Sequence, residues 1–302
     1  MRSAFFNMLP FSNYRHIFSS EEDAIAFLFE KNVLKFMEKC TECNYSPLVR
    51  YGKIYRCNRK ECRKSVSIFG FMIFSKTKIP VHQLLELSYF WLVGIKHTQL
   101  NIITGISRPT ITSTLKLFRK LVADSLDFVD LQIGGNGVVV EIDEAKMGKV
   151  KYNRGHRVDG AWVLGGVERT PERRLFLVEV PDRTENTLLS IIRTYVLPGS
   201  VIMTDCFKSY HNLSQYYTHL TVNHSENFVD PISGACTNTI EGTWASLKYK
   251  ISPRNRTNSL DEEGNIIEHL LDDFLCEFQW RRVHKNNLWE SFITSLKEIE
   301  FN

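Results

Sequence analysis

The sequence predicts an α/β protein with one central sheet, preceded by a small cysteine-rich module and a helical segment. Three observations support this. Beyond residue 137, apolar β-branched runs alternate with helical patterns. Four cysteines lie in paired spacing between residues 40 and 62, and a glycine interrupts a helical pattern at residue 105. With 302 residues, 43% of them hydrophobic, the chain can bury one sizeable core beside smaller modules.

The overall charge and the cysteine content exclude few functions. The 38 Lys+Arg against 34 Asp+Glu give a net charge of +4, which argues only weakly for a polyanionic partner. No apolar stretch approaches the roughly 20 residues of a membrane span, and the N-terminal residues lack the pattern of a secretion signal. Seven cysteines, of which Cys206, Cys236 and Cys276 stand alone, favour a reducing compartment over a disulfide framework. We expect neither membrane attachment nor secretion.

Residues 1–38 have the pattern of a helical lead-in, and residues 39–72 that of a zinc ribbon. In the lead-in, Ser20 is a candidate N-cap before acidic residues and apolar residues at helical spacing. In the second segment, Cys40-x2-Cys43 and Cys57-x4-Cys62 are two pairs separated by thirteen residues, as four thiolates around one zinc ion require. Four unrelated buried thiols are the alternative. A segment this polar has little core, so metal binding would supply much of its folding energy.

Basic residues are concentrated around these cysteines. Between Lys39 and Lys64 there are eight basic residues and two acidic ones. Such a patch suits contacts with DNA phosphates, although a solvated basic face is the plain alternative.

Residues 79–130 have the pattern of three helices with a helix-turn-helix-like element. Pro80 opens the first helix, the second starts near His97 and ends at Gly105, and Ser107-Arg108-Pro109 starts the third. In a helix-turn-helix, the residues early in the last helix would face the major groove and the nearby basic ones would reach phosphates. The first group is Thr110, Thr112, Ser113 and Thr114, and the second is Arg108, Lys116, Arg119 and Lys120. Simple packing of two helices remains the alternative.

Residues 137–290 form the predicted α/β domain, after a Gly134-Gly135-Asn136-Gly137 linker. The predicted elements are a strand at 138–143, a hairpin of strands 161–167 and 173–180, a helix at 184–196, a strand at 201–204 and a long helical tail. Two of these strands end in acids, Asp143 and Asp205. Two such carboxylates would repel each other unless a hard cation such as Mg²⁺ sat between them. Two ions about 4 Å apart serve phosphoryl displacement. A strand-end Asp acting as a cap or turn former is the alternative.

Glu241 is the third candidate carboxylate. It follows Asn238, a possible N-cap, by three residues, so a capping-box role competes with metal binding. Ile240, Trp244, Leu247 and Ile251 have the spacing of a buried stripe, which places Glu241 and Lys248 together on a neighbouring face. Lys248 would then contact DNA or remain a solvated helix lysine.

Several ordered blocks of the sequence carry a family resemblance. They are Glu141-Ile-Asp-Glu-Ala-Lys-Met-Gly-Lys, Lys151-Tyr-Asn-Arg-Gly, Trp162-Val-Leu-Gly-Gly-Val, Val180-Pro-Asp-Arg-Thr, Thr204-Asp-Cys-Phe-Lys-Ser-Tyr, Val222-Asn-His-Ser and Thr237-Asn-Thr-Ile-Glu-Gly-Thr-Trp. Over roughly residues 40–285, the chain resembles the Merlin transposases and their bacterial insertion-sequence relatives. The interval of 36 residues between Asp205 and Glu241 (241 − 205) fits this group.

The resemblance implies a ribonuclease H-like catalytic domain with Asp143 and Asp205 on adjacent strands and Glu241 on a following helix. It implies a DNA transposase that binds terminal inverted repeats and uses two Mg²⁺ or Mn²⁺ ions, with structural Zn²⁺ in the ribbon. Lys146, Lys149, Lys151 and Arg154 would contact DNA phosphates, and His224 and Asn238 would support the metal ligands, although His224 suits a core position equally well.

The partners expected from the resemblance are element-end and target DNA and, in the complex that pairs two ends, at least a second copy of the chain. The nucleus is the expected location if the protein is eukaryotic, as the Merlin elements are, and the cytoplasm otherwise. A transposase retained only as a DNA-binding regulator, and a nuclease or resolvase on the same fold, remain alternatives.

Overall fold

The computed structural model describes residues 8–45, 47–148, 160–223, 226, 229–256, 259–260, 266–268 and 270–301. The α-helices are α1 (Phe11–Tyr14), α2 (Glu21–Glu30), α3 (Val81–Val93), α4 (His97–Thr104), α5 (Arg108–Asp124), α6 (Phe128–Leu131), α7 (Glu185–Tyr195), α8 (Asn238–Lys250), α9 (Leu270–Val283) and α10 (Leu288–Glu298). Within these ranges, no helix has the length and apolar character that crossing a membrane requires.

Among the described residues, the strands are distributed over four sheets. They are β1 (Val49–Tyr51), β2 (Ile54–Arg56), β3 (Ser65–Ser67), β4 (Ile133–Gly134), β5 (Val139–Lys146), β6 (Trp162–Glu168), β7 (Leu175–Val180), β8 (Val196–Leu197), β9 (Val201–Asp205), β10 (Thr218–Val222), β11 (Ser259–Leu260) and β12 (Ile266–Glu268). The chain divides into two compact units, one made of Met1–Ser125 with His284–Asn302 and the other of Leu126–Val283.

The helix boundaries in the first unit follow the local signals in the sequence. The Ser20 hydroxyl accepts a hydrogen bond from the Asp23 N–H at 3.1 Å and so caps α2, as predicted. Pro80 precedes α3, and α4 ends at Gly105, whose φ of 71° suits glycine. Ser107 caps α5 through the Thr110 N–H. The three predicted helices of this segment are confirmed.

A three-stranded antiparallel sheet, in the order β1-β2-β3, lies next to the cysteines in the first unit. Within its strands, only Tyr55 is buried. The sheet therefore contributes very little apolar core of its own, as the polar sequence of the segment predicts.

The second unit is built on a mixed five-stranded sheet with the order β10-β9-β5-β6-β7. β9 runs parallel to both β5 and β10, whereas β5, β6 and β7 are successively antiparallel. The predicted central sheet and hairpin are confirmed. β10 was not predicted, because the sequence Thr-His-Leu-Thr-Val is short and holds only two apolar residues, of which Val222 alone is buried.

The predicted glycine linker before this sheet is wrong at its first residue. Gly134 belongs to β4, which pairs with β8, and its φ is 86°. A Cβ at this position would collide with the Ser200 hydroxyl. Glycine is therefore required here by close packing rather than by chain flexibility.

Helices cover both faces of the five-stranded sheet. On one face, α7 packs on a cluster that includes Val140, Ile142, Leu164, Phe176, Leu188 and Ile192. On the other face, α8 and α9 pack on a cluster that includes Ala145, Val163, Val167, Leu177, Trp244, Leu247 and Leu275. Because successive side chains of a strand alternate between faces, Glu141 and Asp143 lie on the α8 side and Glu144 on the α7 side.

Candidate active site

Asp143 and Asp205 lie side by side on neighbouring parallel strands. The pairing of β5 with β9 aligns Val139 with Val201 and Glu141 with Met203. The paired stretch ends there, and Asp143 and Asp205 each follow two residues later on the same side of their strands. The charge of Asp205 contributes to the raised pKa of Asp143, so the two carboxylates are electrostatic neighbours. The structure therefore brings together the two carboxylates predicted to share a site.

Asp143 occupies an environment that disfavours its negative charge. Burial, followed by the charge of Glu144, raises the pKa of Asp143 to about 6, and Asp205 adds to this. The Trp244 indole Nε1 donates a hydrogen bond to Asp143 Oδ2 at 2.9 Å, which acts in the opposite direction on the pKa. A carboxylate with a raised pKa beside a second carboxylate gains most from a bound cation.

Gly165 makes room for this contact between helix and strand. It is the direct partner of Asp143 in the β5–β6 pairing. A Cβ on Gly165 would lie 2.6 Å from Cη2 of Trp244 and 2.9 Å from Cδ2 of Leu177. The indole therefore occupies the space of a missing side chain, and from there it reaches Asp143.

Asp205 both ends its strand and shapes the following turn. Its Oδ1 accepts a hydrogen bond from the Phe207 N–H at 2.9 Å. The proposed turn-forming role of a strand-end Asp is thus fulfilled here, together with the placement beside Asp143.

Glu241 lies in the first turn of α8 and is exposed. Thr237, rather than Asn238, is the N-cap residue of the helix, so the capping-box alternative for Glu241 is wrong. The carboxylate of Glu241 accepts a hydrogen bond from the Thr237 hydroxyl at 3.1 Å. The predicted stripe of Ile240, Trp244, Leu247 and Ile251 is buried, which confirms the helix register.

The carboxylate that caps α8 comes from Glu141, which the sequence analysis did not consider for this role. One of its oxygens accepts the backbone N–H groups of Thr239 and Ile240 at 2.7 and 3.0 Å, and the other accepts the Thr239 hydroxyl at 2.8 Å. Arg169 Nε lies 3.3 Å from the carboxylate, whose side chain is completely buried. Glu141 thereby fastens the N-terminus of α8 to β5, two residues before Asp143. The available signal was a charged residue on the core face of a buried strand, which must have partners.

Glu144 starts a second network that the sequence analysis missed, on the opposite face of β5. Its side chain is 5% exposed, and its oxygens contact the Tyr210 hydroxyl and, at 3.4 Å, Arg183. Burial raises the pKa of Glu144, while Tyr210 and Arg183 counteract this. Burial, with the neighbouring Glu144, also holds the pKa of Tyr210 well above its ordinary value, so Tyr210 remains a hydrogen-bond donor.

The other residues predicted to act near the carboxylates are exposed, half-buried or outside the described residues. Lys146 is exposed, with its ammonium 5.7 Å from the centre of the Trp162 ring. Lys248 is half-buried on α8, and Asn238 is exposed at the start of that helix. The remaining predicted residues, Lys149, Lys151, Arg154 and His224, lie outside the described residues.

The four cysteines form a compact cluster that suits a zinc ion. Cys40 and Cys62 have their Sγ atoms 3.7 Å apart, and those of Cys43 and Cys57 are 3.6 Å apart. All four sulfur atoms lie within 4.8 Å of one another. Tetrahedral Zn–S bonds of about 2.3 Å would place the sulfurs about 3.8 Å apart. Within the described ranges, no other three or more metal-ligating side chains come this close, so Glu241 does not close onto the two aspartates.

Backbone groups already favour a thiolate in this cluster. The N–H groups of Cys43 and Glu42 lower the pKa of the Cys40 thiol to about 7. At Cys62 the N–H of Lys64 lowers the pKa, but burial and the neighbouring thiols outweigh it and raise the pKa to about 12. Neighbouring thiols compete for negative charge here, and a cation would relieve that competition.

The basic patch around the cysteines is partly neutralised. Four of its eight members pair with acids: Lys64 with Glu42, Arg59 with Glu61, Lys53 with Glu21 and Arg50 with Glu22. The excess of positive charge available to a phosphate is therefore smaller than the sequence count indicates.

The helix-turn-helix-like segment exposes only some of the residues predicted to face DNA. Arg108 and Thr112 are exposed and Thr110 is half-buried, whereas Thr114 and Arg119 are buried, so the prediction for these last two is wrong. Thr112 also bonds His97 Nε2 at 2.8 Å, which links α5 to α4.

Comparisons with known proteins identify the class first. The chain is 32% identical over 127 residues, 42% of its length, to an uncharacterized transposase-like protein of Haemophilus influenzae, of which the match covers 93%. This relative places the chain among transposase-like proteins. The profile of the ISXO2-like transposase domain matches residues 132–283, which is 152 of the 302 residues. The chain belongs to the ISXO2-like transposase family.

A solved structure, the Mos1 strand transfer complex, is a more distant match. The two chains share 12% identity, with a TM-score of 0.24, over 72% of this chain and 78% of the other. This similarity is too weak to bear on the fold.

Proposed function

We propose that this protein is a DNA transposase that cleaves and joins strands at Asp143 and Asp205, with Glu241 as the third carboxylate. The observation that carries the proposal is the parallel pairing of β5 with β9, which makes Asp143 and Asp205 electrostatic neighbours. The mixed sheet covered by helices on both faces, with Glu241 on the helix after these strands, supports the ribonuclease H-like interpretation of the domain.

Carboxylate oxygens suit Mg²⁺ or Mn²⁺, because hard cations prefer them. Asp143 and Asp205 would hold two such ions, and Glu241, which stands apart from the two aspartates in this structure, would complete the set of ligands. When bound, such ions activate an attacking oxygen and stabilise a leaving oxygen at phosphorus. The protein's own part is to hold the two aspartates in register and to fix α8 through Glu141.

The remaining parts of the chain would recognise and position DNA. A zinc ion at Cys40, Cys43, Cys57 and Cys62 would hold the small sheet of the first unit together. The exposed Arg108 and Thr112 would contact element ends. A second copy of the chain would pair the two ends, and the ordered motif blocks favour kinship with the Merlin transposases.

The proposal is tested with duplexes that carry the inverted repeats flanking the gene. We expect strand cleavage and joining that depend on Mg²⁺ or Mn²⁺. Asp143→Asn and Asp205→Asn should each lower the cleavage rate by about 10³-fold or more. The matched control is Asp124→Asn at the exposed end of α5, which should retain wild-type activity.

Three results would contradict the proposal, each in a different way. Unchanged cleavage in Asp143→Asn would reject the assignment of the site. Specific DNA binding without cleavage under any divalent ion would point to a regulator, and hydrolysis without strand joining would point to a nuclease.

A further inference from the structure

Arg183 is held in a defined orientation in the segment between β7 and α7, on the face of the sheet that carries Glu144. The centre of its guanidinium lies 3.7 Å from the centre of the Trp162 ring and 5.1 Å from that of Phe207. The Ser209 hydroxyl donates a hydrogen bond to the Arg183 carbonyl at 2.8 Å. Both the backbone and the side chain of Arg183 are therefore fixed before any ligand arrives.

The ion pair with Glu144 uses only a small part of the guanidinium. Arg183 Nη1 lies 3.4 Å from Glu144 Oε1, and the Tyr210 hydroxyl donates a hydrogen bond to Oε2. A guanidinium has five N–H donors. The contacts that the described residues make use one of them, and 36% of the Arg183 side chain is exposed. Stacking on Trp162 leaves the edge of the guanidinium plane available to an anion with two acceptor oxygens.

The surroundings of Arg183 point to the anion that it binds. Glu144, the ion-pair partner of Arg183, lies on the opposite face of β5 from Asp143, yet its charge acts on Asp143 and that of Asp205 acts on it. Phe207 is two residues beyond Asp205, so Arg183 lies at the same end of the sheet as the carboxylate pair. Lys146 contributes a second positive charge to the same Trp162 ring. A short basic strip, Arg183, Trp162 and Lys146, thus begins next to the site at which strand chemistry is proposed.

We propose that Arg183 binds a backbone phosphate of DNA adjacent to the carboxylate pair, with Trp162 and Glu144 as the groups that orient it. This rests on the proposed function, because that function supplies DNA to the site. The competing role for Arg183 is purely structural: it neutralises the buried charge of Glu144 and touches no ligand.

The test measures binding of a fluorescein-labelled DNA duplex of arbitrary sequence by anisotropy, as a function of KCl, without added divalent ions. The proposal predicts that Arg183→Gln weakens binding about fivefold to tenfold. The slope of log affinity against log salt should decrease by about 0.9, the value for one lost phosphate contact.

Arg193→Gln is the matched control. Arg193, in the last turn of α7, also stacks on an aromatic ring, 4.3 Å from the centre of Tyr216. It should retain the wild-type affinity and slope.

Arg183→Gln alone could weaken binding simply by leaving the buried charge of Glu144 unpaired and destabilising the protein. The comparison is therefore repeated in the Glu144→Gln variant, in which that charge is absent. The double variant Glu144→Gln/Arg183→Gln leaves no buried charge at this position. Relative to Glu144→Gln alone, the double variant should still bind more weakly, with a slope lower by about 0.9. Equal affinity and slope in these two variants would overturn the proposal.

The proposed function and the role of Arg183 fail in different ways. If the wild type binds and cleaves DNA but Arg183→Gln binds like the wild type, only the role of Arg183 is rejected. If the wild type binds no duplex, both are rejected.

Discussion

The cysteine cluster and the carboxylate pair both gather groups of the same charge, but the protein supports them in different ways. The cysteines lie next to a small sheet whose strands bury only Tyr55. The aspartates lie on strands with an apolar cluster on each face. Where the core is small, a metal must supply much of the stability; where it is large, packing can hold carboxylates together at a cost to their ionisation.

The largest effect is expected from breaking the cysteine cluster. Cys57→Ser removes a buried sulfur and should reduce the bound zinc from about one ion per chain to none. Zinc binding in small domains is worth about 10–16 kcal/mol, so most of the stability of the cysteine-bearing sheet should be lost. Metal analysis and thermal unfolding measure this, with Cys276→Ser, outside the cluster, as the control. Full zinc content in Cys57→Ser would show that the cluster is not the site.

The next largest effect is expected at Glu141, which links strand and helix. Glu141→Ala leaves Arg169 and two backbone N–H groups without their buried carboxylate, which should cost about 3–5 kcal/mol of unfolding free energy. Urea unfolding measures the loss. Glu30→Gln, at the exposed end of α2, should change little, and a loss below about 1 kcal/mol at Glu141 would contradict the capping role.

A smaller effect of opposite sign is expected at Asp143. Its pKa rises from 3.8 to about 6 on folding, so the folded state loses stability as pH rises through this interval. Without added divalent ions, Asp143→Asn should therefore be more stable than the wild type near neutral pH, by up to about 3 kcal/mol. The difference should vanish below about pH 4. Melting curves across pH measure this, with Asp124→Asn as control.

Added Mg²⁺ makes the comparison at Asp143 more specific. Mg²⁺ should raise the melting temperature of the wild type, because a ligand that binds only the folded state stabilises that state. The effect on Asp143→Asn should be much smaller, because this variant lacks one of the proposed ligands. Equal shifts in both proteins would place the ion elsewhere.

The smallest effect is expected at Gly165. Gly165→Ala would push against Trp244 and Leu177, with a cost of about 1–3 kcal/mol. Gly242→Ala is the matched control, because Gly242 lies in α8 with open space around its missing Cβ. That change should stabilise the protein by about 0.5–1 kcal/mol. Equal effects of the two changes would mean that the indole packs loosely.

The sequence predicts the cysteine cluster and most strands and helices because their signals are local. The spacing of the cysteines, the cap at Ser20 and the glycine at 105 each act within a few residues. Asp143 and Asp205 could also be chosen, since each ends an apolar run. That they lie near each other could not be predicted, because it depends on the pairing of strands whose aspartates are 62 residues apart (205 − 143).

The contacts that complete the site are not local and escaped prediction. Glu141 and Thr239 are 98 residues apart, and Trp244 and Asp143 are 101 apart. The sequence left a capping box of Asn238 and Glu241 open as an alternative because these residues match a local motif, while the structure takes the capping carboxylate from β5. The exposure of individual side chains could not be predicted either. Thr114 and Arg119 share a helix with residues that face solvent, yet both are buried.

The position of Trp244 against Gly165 also gives the protein an optical signal. The emission of an indole depends on the charge near its ring, and the Nε1 of this one is bonded to Asp143. Protonation of that carboxylate, or a cation beside it, should change the emission of Trp244. The occupancy of the site could then be followed in the unlabelled protein by light alone.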